Sequence, residues 1–368
     1  MMTAETEGNA IVYCEGAFGT TNGKTAHGLV RRSDRYILLS VVDSTCAGTD
    51  AGALLDGAPS GTPIYPDIQT AVADAQRAGM PATHLVIGLA PDGGRMSAVC
   101  HKGVVQGIQL GLNVVSGLHD FISEDQRLVA LAKQQGVTLH DVRKTPPRDQ
   151  LHAFTGKIED VDSLKVALLG TDSAVGKRTT AWALVDALNE ARYTAELIGT
   201  GQTAWLQGAR YSIILDSLIN DFVAGEIEHA VWSAWDDLGP DVIVVEGQGS
   251  LMNPAYPGGH EILAAARPDV IILQHAPARK EYDGFPGYPL HAVETQIEAV
   301  QLLSGKPVVA ITLNHENLSD QELEAAVAQL RTTTGLPVCD VLRHGVGPVI
   351  DGLTPLLEKS EPPCKAAV

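Results

Sequence analysis

Between an apolar run and a helical pattern, residues 165–191 read KVALLGTDSAVGKRTTAWALVDALNEA, with a glycine-bounded polar loop at the junction. A strand that ends in such a loop and restarts as a helix can turn several backbone amides onto one anion. The partial positive charge of the helix start adds to them. Five residues separate Gly170 from Gly176, against four in G-x-x-x-x-G-K-[ST], so Thr171 stands where that pattern has its first glycine. The candidate anion ligands are therefore Gly170, Thr171, Ser173, Ala174, Val175, Gly176 and Lys177, followed by Arg178, Thr179 and Thr180 at the helix start. Lys177 reaches a phosphate as a point charge. Arg178 is the departure: a serine or threonine hydroxyl belongs there if Mg²⁺ is to be held. Thr179 is the nearest substitute, but one helical residue turns it about 100° away.

A second motif, GPDVIVVEGQGSLMNPAYPGGHEIL, brings four apolar residues up to Glu246, followed by Gly247 and Gly249. An acid at the carboxyl end of a parallel strand beside a phosphate loop holds Mg²⁺ (with Thr179, if a metal is used) or acts as a base. The glycines imply a close backbone approach. Asp172, inside the loop, would repel phosphate if it faced inward, so it either orients loop amides or helps activate a substrate. His260, after the glycine pair, and His275, after DVIILQ, are further candidate bases. Thr200 and Gln202 in the polar corner GTGQT are candidate substrate contacts, and Arg279 and Lys280 are candidate carboxylate anchors.

These groups need two sets of elements to place them. In the first half, NAIVYCEG, YILLSVVD, THLVIGLA, LNVVSGLH and VTLHDVR read as strands, with helices in DIQTAVADAQRAG and SEDQRLVALAKQQG. The alternation predicts βαβ units and a parallel, Rossmann-like sheet, although G-x-G-x-x-G is missing after the first strand. Asp43, Thr45, His119 and Asp120 fall at strand ends in that half, where ligands of such sheets bind. His84 and His101 read as non-catalytic. Periodicity collapses near KTPPRDQLHAFTGKIEDVDSL, and a second α/β pattern begins at Lys165 with strands KVALLG, TAELIG, DVIVVEG, DVIILQH, VVAITL and VCDVL. The expected organisation is a Rossmann-like domain over 1–150, a linker over 151–164, a P-loop NTPase-like domain over 165–355 and a flexible tail over 356–368.

The bulk composition fits this reading. A length of 368 residues suits two domains, and 5% aromatics leaves the cores to Val, Leu, Ile and Ala. A net charge of −18 argues against a nucleic-acid or anionic-membrane partner, but leaves room for a small anionic substrate. The five cysteines, Cys14, Cys46, Cys100, Cys339 and Cys364, show no metal-ligand spacing and read as reduced thiols of a cytoplasmic protein. Neither a zinc motif nor G-x-S-x-G is present. Two open sheets predict association into a homo-oligomer.

GTDSAVGKRTT and VIVVEGQGS resemble the G-T-D-x-x-V-G-K-T loop and V-E-G-x-G strand end of dethiobiotin synthetase. Gly170, Thr171, Asp172, Val175, Gly176 and Lys177 match the first, and Glu246, Gly247 and Gly249 the second. Arg178 breaks the threonine of that family. Across both halves the chain resembles the bacterial and archaeal family that joins a Rossmann-like domain to a P-loop-like domain with the form GTD-x-AVGK-x-TT, associated with D-glutamate N-acetyltransferase. That resemblance implies acetyl transfer from acetyl-CoA to D-glutamate, with the loop on coenzyme A phosphates and no strict need for a metal ligand. An ATP- and Mg²⁺-dependent ligase or kinase, or a nucleotide-binding regulatory protein, are the alternatives that the motifs leave open.

Overall fold

The computed structural model describes residues 6–357, in two compact units. The first comprises residues up to Pro146 together with Gln202–Ala209, and the second comprises Pro147–Gly201 and the chain from Arg210 onward.

In the first unit the apolar runs become β1 (Gly8–Tyr13), β2 (Tyr36–Val42), β3 (Ile64–Tyr65), β4 (His84–Ile87), β5 (Asn113–Ser116) and β6 (Leu139–Asp141). All pairings are parallel and the order is β3-β2-β1-β4-β5-β6. This is the doubly wound order of the Rossmann fold. Its core packs Ile11, Val42, Leu85, Ile87 and Val114 from the strands against Val104, Ile108 and Leu128 from the crossover helices. Asp67 and Asp125 cap helices Ile68–Arg77 and Gln126–Gln135, so two of the expected helices start where an N-cap acid stands.

The second unit carries β7 (Leu164–Gly170), β8 (Ala195–Gly199), β9 (Tyr211–Ser212), β10 (Val242–Glu246), β11 (Val270–His275), β12 (Val308–Leu313) and β13 (Val338–Asp340). They form one parallel sheet in the order β13-β12-β11-β7-β10-β8-β9. Strands β7, β10 and β11 are buried almost throughout, which is why each reads as an unbroken apolar run. The chain is α/β in both units. Among the described residues, no helix is long and apolar enough to cross a membrane.

Three boundaries differ from the expectation. The stretch 151–164 is not a bare linker but part of the second unit. Ile158 and Val161 enter its core, and the buried Glu228 carboxylate accepts from Thr155 N at 2.7 Å and Ile158 N at 3.2 Å. Helix Asn220–Leu238 lies so close to this stretch that a Cβ on Gly225 would stand 2.0 Å from the His152 carbonyl oxygen. Gly225→Ala is expected to cost about 1–3 kcal/mol by forcing those backbones apart, read from the denaturant midpoint. Next, helix Gln202–Gln207 belongs to the first unit, although sequence on both sides of it builds the second. Finally, Leu356 and Leu357 end helix Gly347–Leu357, with Leu357 buried, whereas the remainder of the expected tail, with Cys364, lies outside the described residues.

Candidate functional site

Because the second sheet is parallel, β7, β10, β8 and β11 all deliver their carboxyl ends to one edge. Gly170, Glu246, Gly199 and His275 close those strands. The turn 171–176 leaves β7 there and winds left-handed at Ala174 (φ 51°) and Gly176 (φ 102°) before helix Lys177–Glu190 begins. Left-handed residues within a tight turn rotate successive amides toward one side, the geometry of an anion nest. A non-glycine residue held at such a φ is a strained feature that its surroundings must enforce.

Asp172 supplies much of that enforcement. Its carboxylate is fully buried. Oδ1 accepts from Ser173 N at 2.7 Å and Asn253 Nδ2 at 2.8 Å, while Oδ2 accepts from Arg279 at 2.9 Å and Asp283 N at 2.9 Å. Arg279 also pairs with Glu316 and donates to the Ser173 carbonyl at 2.7 Å and the Ala174 carbonyl at 3.3 Å. Of the two roles open to Asp172, orienting the loop amides or activating a substrate, these bonds give it the first. Arg279, expected to anchor a substrate carboxylate, has only 11% of its side chain exposed and clamps the loop.

The rest of the turn is equally well held. Thr171 Oγ1 lies 2.9 Å from His275 Nδ1, and Gln296 donates to the Thr171 carbonyl at 3.2 Å. Burial, with Lys280 and Arg279 adding to it and Glu294 opposing, pushes the His275 pKa down to about 4, so this imidazole is neutral at pH 7 and serves as a loop partner. Thr180 and Thr312 both donate to Gln274 Oε1 at 2.6 Å, which commits the Thr180 hydroxyl to packing the helix on β11. Lys177 is buried, with Nζ donating to the Asp172 carbonyl at 2.7 Å and the Gly249 carbonyl at 2.8 Å.

Glu246 stands between β7 and β8 at the same edge and is 4% exposed. Its Oε2 accepts from Thr200 N at 3.0 Å, and Thr200 Oγ1 donates to the Glu246 carbonyl at 2.9 Å while accepting from Gln248 Nε2 at 2.9 Å. Thr200, expected to bind substrate, therefore holds the acid. Burial pushes the Glu246 carboxyl above its ordinary pKa, with the Arg178 charge, the Thr200 amide and the Lys177 charge pulling the other way. A carboxyl whose pKa is raised by burial at a strand end is, once ionised, a stronger proton acceptor than a solvated one. Next to it, Gly247 allows the close approach expected of it: a Cβ there would lie 2.3 Å from the Leu168 carbonyl oxygen.

A magnesium ion is poorly served by these residues. Arg178 replaces the hydroxyl after the lysine, Thr180 is committed to Gln274, and the acid on the neighbouring strand already faces the charges of Arg178 and Lys177. No group of His, Cys, Asp and Glu suited to a metal occurs among the described residues.

Other expected residues take no part in the hydrogen bonds described above. His260 is exposed, with one long contact of 3.4 Å to the Leu251 carbonyl. Lys280 is exposed and donates to the Pro277 carbonyl at 3.4 Å. Gln202 opens the helix that belongs to the first unit and packs against Gly117 there. Sequence reasoning missed Asn253, Gln274, Gln296 and Glu316. A polar residue closing the apolar strand VIILQ was the available signal for Gln274; for the others there was none.

In the first unit the end of β2 is self-occupied. The Asp43 carboxylate accepts from the amides of Gly16, Ala17 and Phe18 at 3.1, 3.1 and 2.8 Å, and from Thr45 N and Oγ1 at 2.9 and 2.6 Å. Burial raises its pKa, but the Thr45 hydroxyl and the amides of Phe18, Thr45 and Gly16 outweigh that and hold it below the ordinary value. Its own side chain thus takes the first βα turn, where a Rossmann dinucleotide would place its pyrophosphate. Asp120 likewise pairs with Arg95 and accepts from Met96 N.

The two units correspond to two family models. One, described as "Domain of unknown function (DUF1611_C) P-loop domain", matches residues 152–350. The other, "Domain of unknown function (DUF1611_N) Rossmann-like domain", matches residues 44–145. The chain belongs to the DUF1611 family. A DUF1611 family protein from Anabaena variabilis, known from a crystal structure, superposes with a TM-score of 0.84 at 27% identity, over 95% of this chain and 100% of that one. Two curated relatives are named D-glutamate N-acetyltransferase. The one from Tritonibacter scottomollicae is 34% identical over 76% of this chain and 83% of its own length. The one from Pseudoalteromonas is 30% identical over 77% of this chain and 85% of its own length. This DUF1611 member thus groups with relatives named as acyltransferases.

Proposed function

We propose that the protein transfers the acetyl group of acetyl-CoA to the amine of D-glutamate, with the turn 171–176 and Lys177 on the phosphates of coenzyme A. The observation that favours this over ATP-dependent ligation is Arg178. An enzyme that transfers a phosphoryl group needs a metal between the phosphate and the protein, and Arg178 stands where the hydroxyl that would help hold it belongs. An enzyme that only holds phosphates needs amides and cations, which the loop, Lys177 and Arg178 supply. The names of the two relatives support this choice of acetyl group and acceptor.

The chemistry then falls to Glu246. The ammonium of the amino acid must lose a proton before nitrogen can attack the thioester carbonyl. Glu246, in its ionised form and short of solvent, takes that proton. The carbon–nitrogen bond forms and the carbon–sulfur bond breaks; of the two protons the nitrogen sheds, one passes through Glu246 to the departing thiolate and the other goes to solvent. The products are the N-acetyl amino acid and free coenzyme A.

Thiol release from acetyl-CoA, followed with D-glutamate, L-glutamate or no acceptor, tests the reading. Release that depends on D-glutamate, needs no ATP and is undiminished by chelator is the expected result. A folded protein that releases no thiol, yet consumes ATP with Mg²⁺ and a carboxylate acceptor, would move the assignment to ligation.

A further inference from the structure

Two segments beside the phosphate turn end in aromatic rings, and one carboxylate fixes both. Asn253 donates to Asp172 and, through Oδ1, accepts from Ala255 N at 2.9 Å and Tyr256 N at 2.8 Å, so the bond that ties this segment to the turn also sets Tyr256. The second segment is a hairpin closed by the Glu281–Pro289 bridge and braced by the Tyr282 hydroxyl on His291 at 2.7 Å. It donates Asp283 N to the other oxygen of Asp172 and carries Phe285 and Tyr288 at its tip. The two segments meet through their rings: Tyr256 and Phe285 lie 6.2 Å apart edge to face, and Phe285 and Tyr288 lie 6.3 Å apart.

The arrangement is unusual for this chain. Only 17 of its 368 residues are Phe, Trp or Tyr. Four of them lie in these two segments: Tyr282 is buried, while Tyr256, Phe285 and Tyr288 form the ring cluster, with Tyr256 49% and Tyr288 55% exposed. Rings that served only to bury themselves would not remain half open. Rigid aromatic faces beside an anion site suit a planar base attached to the bound phosphates, because every purine has a π-face to stack and the phosphates fix its distance from the turn.

We infer that Tyr256 and Phe285, with Tyr288, form the stacking platform for the purine of the cosubstrate whose phosphates the turn 171–176 holds. This inference rests on the proposed role of that turn in binding a purine nucleotide; acetyl-CoA and ATP are the two sources of such a ring, and acetyl-CoA is the one chosen above.

Tyr256→Ala, Tyr256→Phe and the double variant Tyr256→Ala/Phe285→Ala would be compared with the parent protein in steady-state thiol release from acetyl-CoA and from S-acetylpantetheine, which lacks the nucleotide. Removing a stacked ring is expected to raise KM for acetyl-CoA about 10-fold or more, leave kcat in place, and leave the kinetics with S-acetylpantetheine unchanged. Tyr256→Phe keeps the ring and the parental KM. An unchanged KM for acetyl-CoA in the double variant overturns the platform, as does an equal rise in KM for both donors. If the parent releases no thiol at all, acetyl transfer fails, and equilibrium binding of ATP becomes the readout. Weaker ATP binding by Tyr256→Ala than by the parent then upholds the platform. Equal binding, or none by either, removes it.

Discussion

Exchanging Glu246 for glutamine is expected to lower kcat for acetyl transfer by about 10²–10⁴-fold, the usual worth of a positioned proton acceptor. Glutamine retains the shape of the side chain and can still accept from Thr200 N, so binding of acetyl-CoA, read as its KM or by displacement of a competing nucleotide, stays near the parental value. The pH dependence carries a second signature. A base works only when ionised, and burial raises this carboxyl, so kcat/KM of the parent climbs with pH through a value above the ordinary carboxyl pKa of 4.5. That limb disappears in Glu246→Gln. Stability moves in the opposite direction. A carboxyl whose pKa is raised on folding adds stability only while it is protonated, and that contribution is lost as pH rises through the folded value. At pH 7 the native acid is a burden on the fold, and Glu246→Gln should melt at a higher temperature than the parent while being nearly inactive. A variant that keeps its rate, or that loses rate and stability together, would show Glu246 to be a structural residue.

How far the sequence revealed this site depends on what kind of information each residue carries. Strands β7, β10 and β11 were legible because a parallel strand covered on both faces has no polar positions to interrupt it. Once those strands are in register, Gly170, Glu246 and His275 must share an edge, so their grouping was legible too. The edge strands β3 and β9 have two residues each and carry no period to detect. Roles were harder to see than places. Arg279 and Asp172 are 107 residues apart in the chain, and nothing local to either says that one faces the other. A cation after a strand looks the same whether it waits for a substrate or clamps a loop. Asp43 teaches the same lesson in the first unit: an acid at the end of β2 is the position of a ribose ligand in dinucleotide enzymes, yet here it turns back onto the amides of residues 16–18. The unit to which Gln202 belongs was hidden for a topological reason, because the chain leaves the second unit after Gly201 and returns at Arg210.

The Asp172–Arg279 pair therefore makes the sharpest test of the difference between placing a loop and doing chemistry in it. Asp172→Ala removes the acceptor of four donors at once, those of Ser173, Asn253, Asp283 and Arg279. Breaking a buried ion pair from one side costs about 3–5 kcal/mol, because the partner stays buried. Glu316 and the loop carbonyls still hold Arg279, so the lower end of about 3 kcal/mol applies, equivalent to a fall of roughly 6–12 °C in melting temperature. Catalysis should suffer through binding: with Ala174 no longer forced to its left-handed conformation the amide nest loosens, and KM for acetyl-CoA rises more than kcat falls. Asp172→Asn, which keeps one acceptor oxygen and loses the charge, should lie between the parent and Asp172→Ala in both stability and KM. The opposite pattern, a variant as stable as the parent with its KM intact and its kcat abolished, would mean that Asp172 touches the reacting atoms, and the clamp would have to be reread as a resting arrangement from which substrate releases the acid. The exclusion of solvent from Asp172 and the spread of its partners across three segments favour the first pattern. A carboxylate that must turn toward a substrate cannot also be the one group on which the turn, the Asn253 segment and the 281–289 hairpin all close.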